Sequence, residues 1–269
     1  MLKRLFKAVA AKQAAPDAAV PPGTRVYAIG DVHGRLDCLD VLLAMIDADD
    51  AARGAADTQI VFLGDLVDRG PDSAGVVDRA MTLARSGRAV RGLKGNHEEM
   101  FLSAIGGSER AMRGFTQFGG RETLLSYGMS QRDYNEYLFP ELIEAAARIV
   151  PAAHIAYLDA LEDMIEIGDY LFVHAGMKPG VPIAEQTPEA LRWIRREFLD
   201  HRGDFGRVVV HGHTITSDVD VRSNRIGIDT GAYESGRLTA IGLEGAERWF
   251  LQTPADQQPD ANPRSGNEI

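Results

Sequence analysis

RVYAIGDVHG, residues 25–34, sets how the rest of the chain is read. Its first half, Arg25 to Ile29, is a short β-branched and aromatic run of the kind that forms a strand. Its second half, Gly30-Asp31-Val32-His33-Gly34, interrupts that strand with glycine and places a carboxylate and an imidazole just past its end. The same succession recurs down the chain. Gln59–Leu63 runs into Gly64-Asp65-Leu66-Val67-Asp68-Arg69-Gly70, and Ala89–Leu93 runs, after Lys94, into Gly95-Asn96-His97-Glu98. Tyr170–Val173 leads into His174-Ala175-Gly176, and Val208–Val210 into His211-Gly212-His213-Thr214. Arg225–Ile228, Leu238–Leu243 and Arg248–Leu251 are further strand candidates.

Helical spacing separates these runs. Leu36, Leu39, Leu43 and Ile46 follow the first, and Val76, Val77, Ala80 and Met81 follow the second. Alternation of strand and helix predicts an α/β fold with a parallel or mixed sheet covered by helices. From Glu98 to about Asp163 the pattern is mainly helical, so residues 100–163 read as a cap inserted over one sheet edge. Residues 24–252 form the main domain. Residues 253–269, rich in Pro, Asn, Gln and Asp, read as a disordered tail. Residues 1–23 read as a second tail closed by Pro21-Pro22-Gly23. Within it Leu2, Leu5, Phe6 and Val9 share one helical face opposite basic residues, so weak membrane-surface or partner docking by residues 2–12 is a secondary expectation.

The composition excludes several classes. With 29 basic and 39 acidic residues the chain of 269 carries a formal charge of −10, which argues against a nucleic-acid partner. The single cysteine, Cys38, cannot close an internal disulfide. No apolar run is long enough for a transmembrane segment. The expected location is cytoplasmic.

In open α/β sheets the carboxyl ends of the strands face the ligand crevice, so these motifs gather Asp, His and Asn side chains around one cavity. Carboxylate, imidazole and amide oxygen suit hard or borderline divalent cations. Asp31, His33, Asp65, Asn96, His174 and His213 are too many donors for one tetrahedral ion. They fit two ions sharing a carboxylate, the standard clamp for phosphoryl displacement. Manganese is the first expectation, with iron, zinc or cobalt tolerated by the same donors. His154 and His201 lie outside such motifs and read as structural.

Taken in order, these elements resemble the phosphoprotein phosphatase branch of the calcineurin-like metallophosphoesterases, in particular its short bacterial and lambda-phage members. The likeness covers roughly Arg25 to Leu251. It implies two mixed sheets packed as a sandwich and flanked by helices, with a di-metal centre at the strand ends. It further implies that Asp31 and His33 ligate the first metal, that Asp65 bridges both, and that Asn96, His174 and His213 ligate the second. His97 becomes the general acid and Asp68 its orienting partner, while Arg69 binds phosphate. Arg195, in Trp193-Ile194-Arg195, matches a second phosphate-binding arginine, with Arg196 one position away. His211 is open between supporting the site and stabilising the fold. Tyr233 falls where some relatives place an aromatic near the site.

The activity the resemblance implies is metal-dependent hydrolysis of phosphoserine and phosphothreonine in proteins, possible on phosphotyrosine also, with a phosphoprotein or phosphopeptide as partner. The alternative is hydrolysis of dinucleoside polyphosphates such as diadenosine tetraphosphate. Symmetrically cleaving relatives tend to replace the position of Asp68, so the intact Asp68-Arg69-Gly70 ranks the protein phosphatase first. Cap aromatics, Phe115, Phe118, Tyr127, Tyr134, Tyr137 and Phe139, are expected mainly to pack a small core of the cap's own.

Overall fold

The structure, a computed structural model, describes residues 18–256. Among the described residues ten strands form two five-stranded mixed sheets. In the first, β1 (Thr24–Ile29) lies beside β2 (Asp57–Phe62) and β2 beside β3 (Ala89–Gly92), all parallel. On the other side of β1 run β9 (Thr239–Glu244) and β10 (Glu247–Gln252), each antiparallel to its neighbour. The second sheet has the order β4 (Met164–Ile167), β5 (Tyr170–Val173), β6 (Val208–His211), β8 (Arg225–Gly227) and β7 (Asp220–Val221). Strands β5, β6 and β8 are parallel, with the outer strands antiparallel. The sandwich of two mixed sheets is therefore present.

Alternation along the strands explains the layers, because successive side chains point to opposite faces of a sheet. Val26 and Ala28 of β1 enter the core between the sheets with Val61, Phe172, Val210 and Ile226. Tyr27 and Ile29, one residue out of phase, face the helices on the outer side. There α1 (Leu36–Arg53) buries Leu39, Leu42, Leu43 and Ile46, and α2 (Ser73–Arg85) buries Val76, Val77, Ala80 and Met81, as their spacing predicts. On the far side of the second sheet α9 (Pro188–Trp193) and α10 (Arg196–Leu199) pack Leu191 and Phe198 on Leu171, Val173 and Val209.

Between β3 and β4 the chain is helical throughout, from α3 (Asn96–Ile105) and α4 (Glu109–Gln117) through α5 (Gly120–Ser126), α6 (Gln131–Glu136) and α7 (Phe139–Ile149) to α8 (Ala152–Asp159). Its aromatics do not make a separate core. Phe101 stacks on Phe115 and Tyr127, and all three join the apolar cluster that contains α1, α2 and the outer face of the first sheet. Phe118 instead stands 55% exposed.

Strands β4 and β7 have no counterpart in the pattern reading. Met164–Ile167 is four residues long, yet it pairs with β5 across a two-residue turn at Gly168-Asp169, and Gly168 takes a φ of 59° that suits glycine. The last residues of the expected amino-terminal tail are packed: Ala18 and Val20 enter the inter-sheet core, and the Val20 N–H donates to the Gly245 carbonyl. The first residues of the carboxyl-terminal tail are likewise held, since Asp256 pairs with Arg35. The amphipathic Leu2–Val9 pattern and residues 257–269 lie outside the described residues. Among the described residues no helix is long and apolar enough to cross a membrane.

Candidate active site

The loops that leave β1, β2, β3, β5 and β6 meet at one end of the sandwich. Their backbones are unusual. His33, Asp65, Asp68, Arg69 and His213 have φ between 45° and 72°, and they are the non-glycine residues with positive φ among the described residues. Each such conformation costs an L-residue roughly 1–2 kcal/mol, so the surroundings must enforce it. Glu98 supplies much of that enforcement. Fully buried, its carboxylate accepts the N–H groups of Asp65, Leu66 and Gly95 at 2.8 Å and that of Val67 at 3.3 Å. One side chain from α3 thus pins the loop after β2 to the loop after β3. Glycine is required at Gly212, where a Cβ would stand 1.9 Å from Asp31 Oδ1.

Asp65 sits at the centre. Its Oδ2 is 3.4 Å from His174 Nε2, 3.5 Å from His33 Nε2 and 4.0 Å from His97 Nε2. His33 uses Nδ1 on the Val67 carbonyl at 2.8 Å, and His174 uses Nδ1 on the Leu63 carbonyl at 2.9 Å. Both imidazoles donate Nδ1–H to backbone, which aims each Nε2 at Asp65, and orienting a ring through its other nitrogen is the usual support of a ligand histidine. Asn96 Oδ1 meets His174 Nε2 at 2.9 Å. Asp31 Oδ2 accepts the His213 N–H at 2.9 Å, tying the loop after β1 to the loop after β6.

Two groups that could each hold a metal ion share Asp65: His33, Asp65 and His97, and Asp65, His174 and His213. The donor set fits cations. Asp31 Oδ1, His33 Nε2 and His213 Nε2 are buried without a hydrogen-bond partner, which is costly for polar atoms unless something else meets them. Electrostatics agree. Burial, then the carboxylates Asp229 and Asp65, push Asp31 well above its usual range. Burial acts on Asp65 in the same direction, but His174, His97 and His33 outweigh it and hold that carboxyl low. His174 is driven down by burial, yet Asp65 and Asp31 raise it to about 10. Burial drops His33 to about 3, leaving it a neutral donor. Converging carboxylates, with His33 neutral and its Nε2 unpartnered, are an inventory that suits divalent ions.

His97 differs from the other imidazoles. Its Nδ1 lies 2.6 Å from Asp68 Oδ2, and its Nε2 lies 3.1 Å from Arg69 Nη2. The guanidinium can only donate, so Nε2 is an acceptor and Nδ1 carries the proton toward Asp68. A cation at Nε2 would have to displace that guanidinium, which sets His97 apart from His33 and His174. Burial lowers His97, but Asp65 and Asp68 overcome it and the net shift is upward. Arg69 lies over the Tyr233 ring, 4.7 Å from its centroid, and Tyr233 in turn meets His33 edge-on at 5.5 Å.

Arg195 is exposed just ahead of α10, and its charge bears on His213, so it borders the site on that side. Arg196 instead opens α10. His211 turns away from the centre: its ring packs edge-on to Phe198, with Nδ1 on the Gly212 carbonyl and Nε2 3.4 Å from Arg225. It stabilises the strand end. His154 bridges Tyr127 and Asp78, and His201 packs on Phe205, both clear of the site. Three contributors were not legible in the sequence. Glu98 stood inside a motif but carried no sign of its clamp. Thr123, in the cap, donates its hydroxyl to Asp68 Oδ1 at 2.6 Å. Asp229, buried and raised to about 6 first by burial, adds a third carboxylate behind Asp31.

A family profile described as "Calcineurin-like phosphoesterase" matches residues 24–250. A protein of Ralstonia nicotianae named "Bis(5'-nucleosyl)-tetraphosphatase, symmetrical" is 36% identical over 256 residues, covering 91% of this chain and 72% of its own. One of Anoxybacillus flavithermus, named "Bis(5'-nucleosyl)-tetraphosphatase PrpE [asymmetrical]", is 24% identical, covering 79% of this chain and 88% of its own. A crystal structure described as a candidate diadenosine tetraphosphatase superposes with a TM-score of 0.61 at 22% identity, covering 90% of this chain and 100% of that one, a likeness of fold.

These relatives overturn the ranking drawn from Asp68-Arg69-Gly70: they are named for hydrolysis of dinucleoside tetraphosphates and not of phosphoserine or phosphothreonine in proteins, and they do not support the phosphoprotein phosphatase branch. The physical reason lies in what those residues touch. In the roles the resemblance implies, Asp68, His97 and Arg69 would meet a phosphoryl group and the oxygen that leaves it, which phosphomonoesters and phosphoanhydrides share. An intact trio therefore cannot rank the two substrates.

Proposed function

Because the chain belongs to the calcineurin-like phosphoesterase family, we propose that it hydrolyses dinucleoside polyphosphates, cleaving a dinucleoside tetraphosphate symmetrically. The observation that carries this reading is the 36% identity to a symmetrical bis(5'-nucleosyl)-tetraphosphatase across nearly the whole described domain.

Two divalent cations would be held by Asp31, His33 and Asp65 and by Asp65, Asn96, His174 and His213. Bound there, they supply positive charge to the phosphoryl oxygens and lower the pKa of water to yield a nucleophile at neutral pH. The chain's own residues do the rest. Arg69 and Arg195 offer planar, permanently charged donors to the remaining phosphate oxygens. Occupation of Arg69 by phosphate frees His97 Nε2 to take up a proton from water, which Asp65 and Asp68 favour, and the imidazolium then passes that proton to the oxygen leaving the cleaved anhydride. Asp68 keeps the ring in register through Nδ1 at 2.6 Å and stabilises its charged form. A net charge of −10 repels a polyphosphate at long range, so attraction must come from these local cations and arginines.

An assay with Mn²⁺, offering diadenosine tetraphosphate, a phosphothreonine peptide and a phosphotyrosine peptide in parallel, tests the proposal. Preference for the dinucleotide with two ADP as products is expected. ATP plus AMP would replace symmetrical by asymmetrical cleavage, and preference for either peptide would overturn the reading.

A further inference from the structure

Asp68 lies at the base of a closed hydroxyl network that the cap completes. Asp68, Ser73 and Thr123 are each 0% exposed. The Asp68 N–H is shared between Ser73 Oγ at 3.0 Å and Thr123 Oγ1 at 2.9 Å. Thr123 donates its own proton to Asp68 Oδ1 at 2.6 Å, so Ser73, 2.9 Å from Thr123, must donate to Thr123. Every proton in the ring is thereby assigned, and the far carboxylate oxygen, Oδ2, is aimed at His97 Nδ1. Asp68 holds a φ of 72°, a conformation that needs outside support. The cap also holds the next residue, since the Arg69 N–H donates to the Gly119 carbonyl at 3.0 Å.

We propose that Thr123 is a positioning residue for the catalytic histidine: the cap hydroxyl fixes which carboxylate oxygen of Asp68 faces His97 and so sets the direction in which His97 presents its proton. The inference rests on the hydrolytic reading of the site but not on which phosphate compound is the natural one. Without the Thr123 hydroxyl, Asp68 Oδ1 is buried without its donor while the Ser73 hydroxyl loses its acceptor, so the carboxylate gains a partner by rotating toward Ser73 Oγ and turns Oδ2 from the ring. The cost falls on proton delivery and not on phosphate binding, which is Arg69's.

The test compares Thr123→Val, which keeps the shape and removes the hydroxyl, with Thr123→Ser, which keeps the hydroxyl. Each is assayed with Mn²⁺ on phenyl phosphate and on 4-nitrophenyl phosphate, whose leaving group needs little protonation, alongside diadenosine tetraphosphate. Thr123→Val should lower kcat on phenyl phosphate about 10- to 100-fold, within the span of general-acid effects, and on 4-nitrophenyl phosphate at most about threefold, with KM unchanged. Thr123→Ser should restore the wild-type ratio. Ser73→Ala, one bond further out, should show the same leaving-group bias in weaker form and serves if the valine variant does not fold. Mn²⁺ binding followed by calorimetry should be equal in all variants. Equal slowing of both aryl esters, or failure of serine to restore the ratio, overturns the proposal while leaving the hydrolase assignment standing. A wild-type protein inactive on all three compounds overturns both.

Discussion

His33 and His174 lean on backbone carbonyls, Val67 and Leu63, whereas Asp68 and Arg69 lean on the cap, through the Thr123 hydroxyl and the Gly119 carbonyl. The first arrangement joins the strand-end loops to one another, with Glu98 of α3 clamping the loops after β2 and β3. The second depends on a helical segment some fifty residues further on keeping its register. The half of the site that would face cations is thus held by contacts among the strand-end loops and Glu98, and the half that would handle the proton by the cap. Substitutions should separate the halves by what they disturb: metal retention on one side, leaving-group and phosphate handling on the other.

The largest effect is expected at the shared carboxylate. Asp65→Asn removes charge from the centre of both groups and should lower turnover at least about a thousandfold, roughly 4 kcal/mol of transition-state stabilisation, together with loss of Mn²⁺ in equilibrium dialysis. Wild-type turnover or undiminished Mn²⁺ binding in that variant would collapse the distinction. His97→Asn should keep its Mn²⁺ and still lose about 10²- to 10⁴-fold on esters with poor leaving groups. Slowing that does not depend on the leaving group would return His97 to the cation half.

Glu98→Gln probes the clamp between the loops. One carboxylate oxygen becomes an amide NH₂ facing two backbone N–H donors, a cost of about 2–4 kcal/mol and a Tm lower by roughly 5–15 °C in calorimetry. An unchanged Tm would show that the left-handed turns hold themselves. Gly119→Ala sharpens the cap side. Gly119 has a φ of 105°, and a Cβ there would come within 2.7 Å of Arg69. The variant should raise KM for the polyphosphate about 5- to 20-fold, a loss of roughly 1–2 kcal/mol, with a smaller change in kcat. The smallest effect is reserved for Tyr233→Ala. Removing the ring beneath Arg69 should raise KM only about two- to fivefold, in line with a partly exposed cation–π contact.

Much of the fold could be read locally. Strands β1, β2, β5 and β6 and the buried faces of α1 and α2 follow from β-branched runs and helical spacing, because each buries a face whose period is written in consecutive residues. Strand β4 escaped because Met164–Ile167 follows directly on a helical stretch and is too short for its alternation to stand out. The order of the two substrates was misjudged for a different reason. In the roles the resemblance implies, the trio would meet only the phosphoryl centre, and groups that would meet the rest of a substrate carry no short signature.

The amino-acid sequence by itself determined the donor inventory. Asp31, His33, Asp65, Asn96, His174 and His213 each stand at the end of a predicted strand with a glycine one or two residues away, a pattern written in consecutive residues. The tertiary structure alone decided how the imidazoles divide their work. It turned His211 toward Phe198 and Arg225, gave His97 to Asp68 and Arg69, and drew Glu98 and Thr123 into support. A hydrogen bond between residues 55 positions apart, as between Asp68 and Thr123, has no periodicity or spacing to betray it, since it exists only where packing brings the two together.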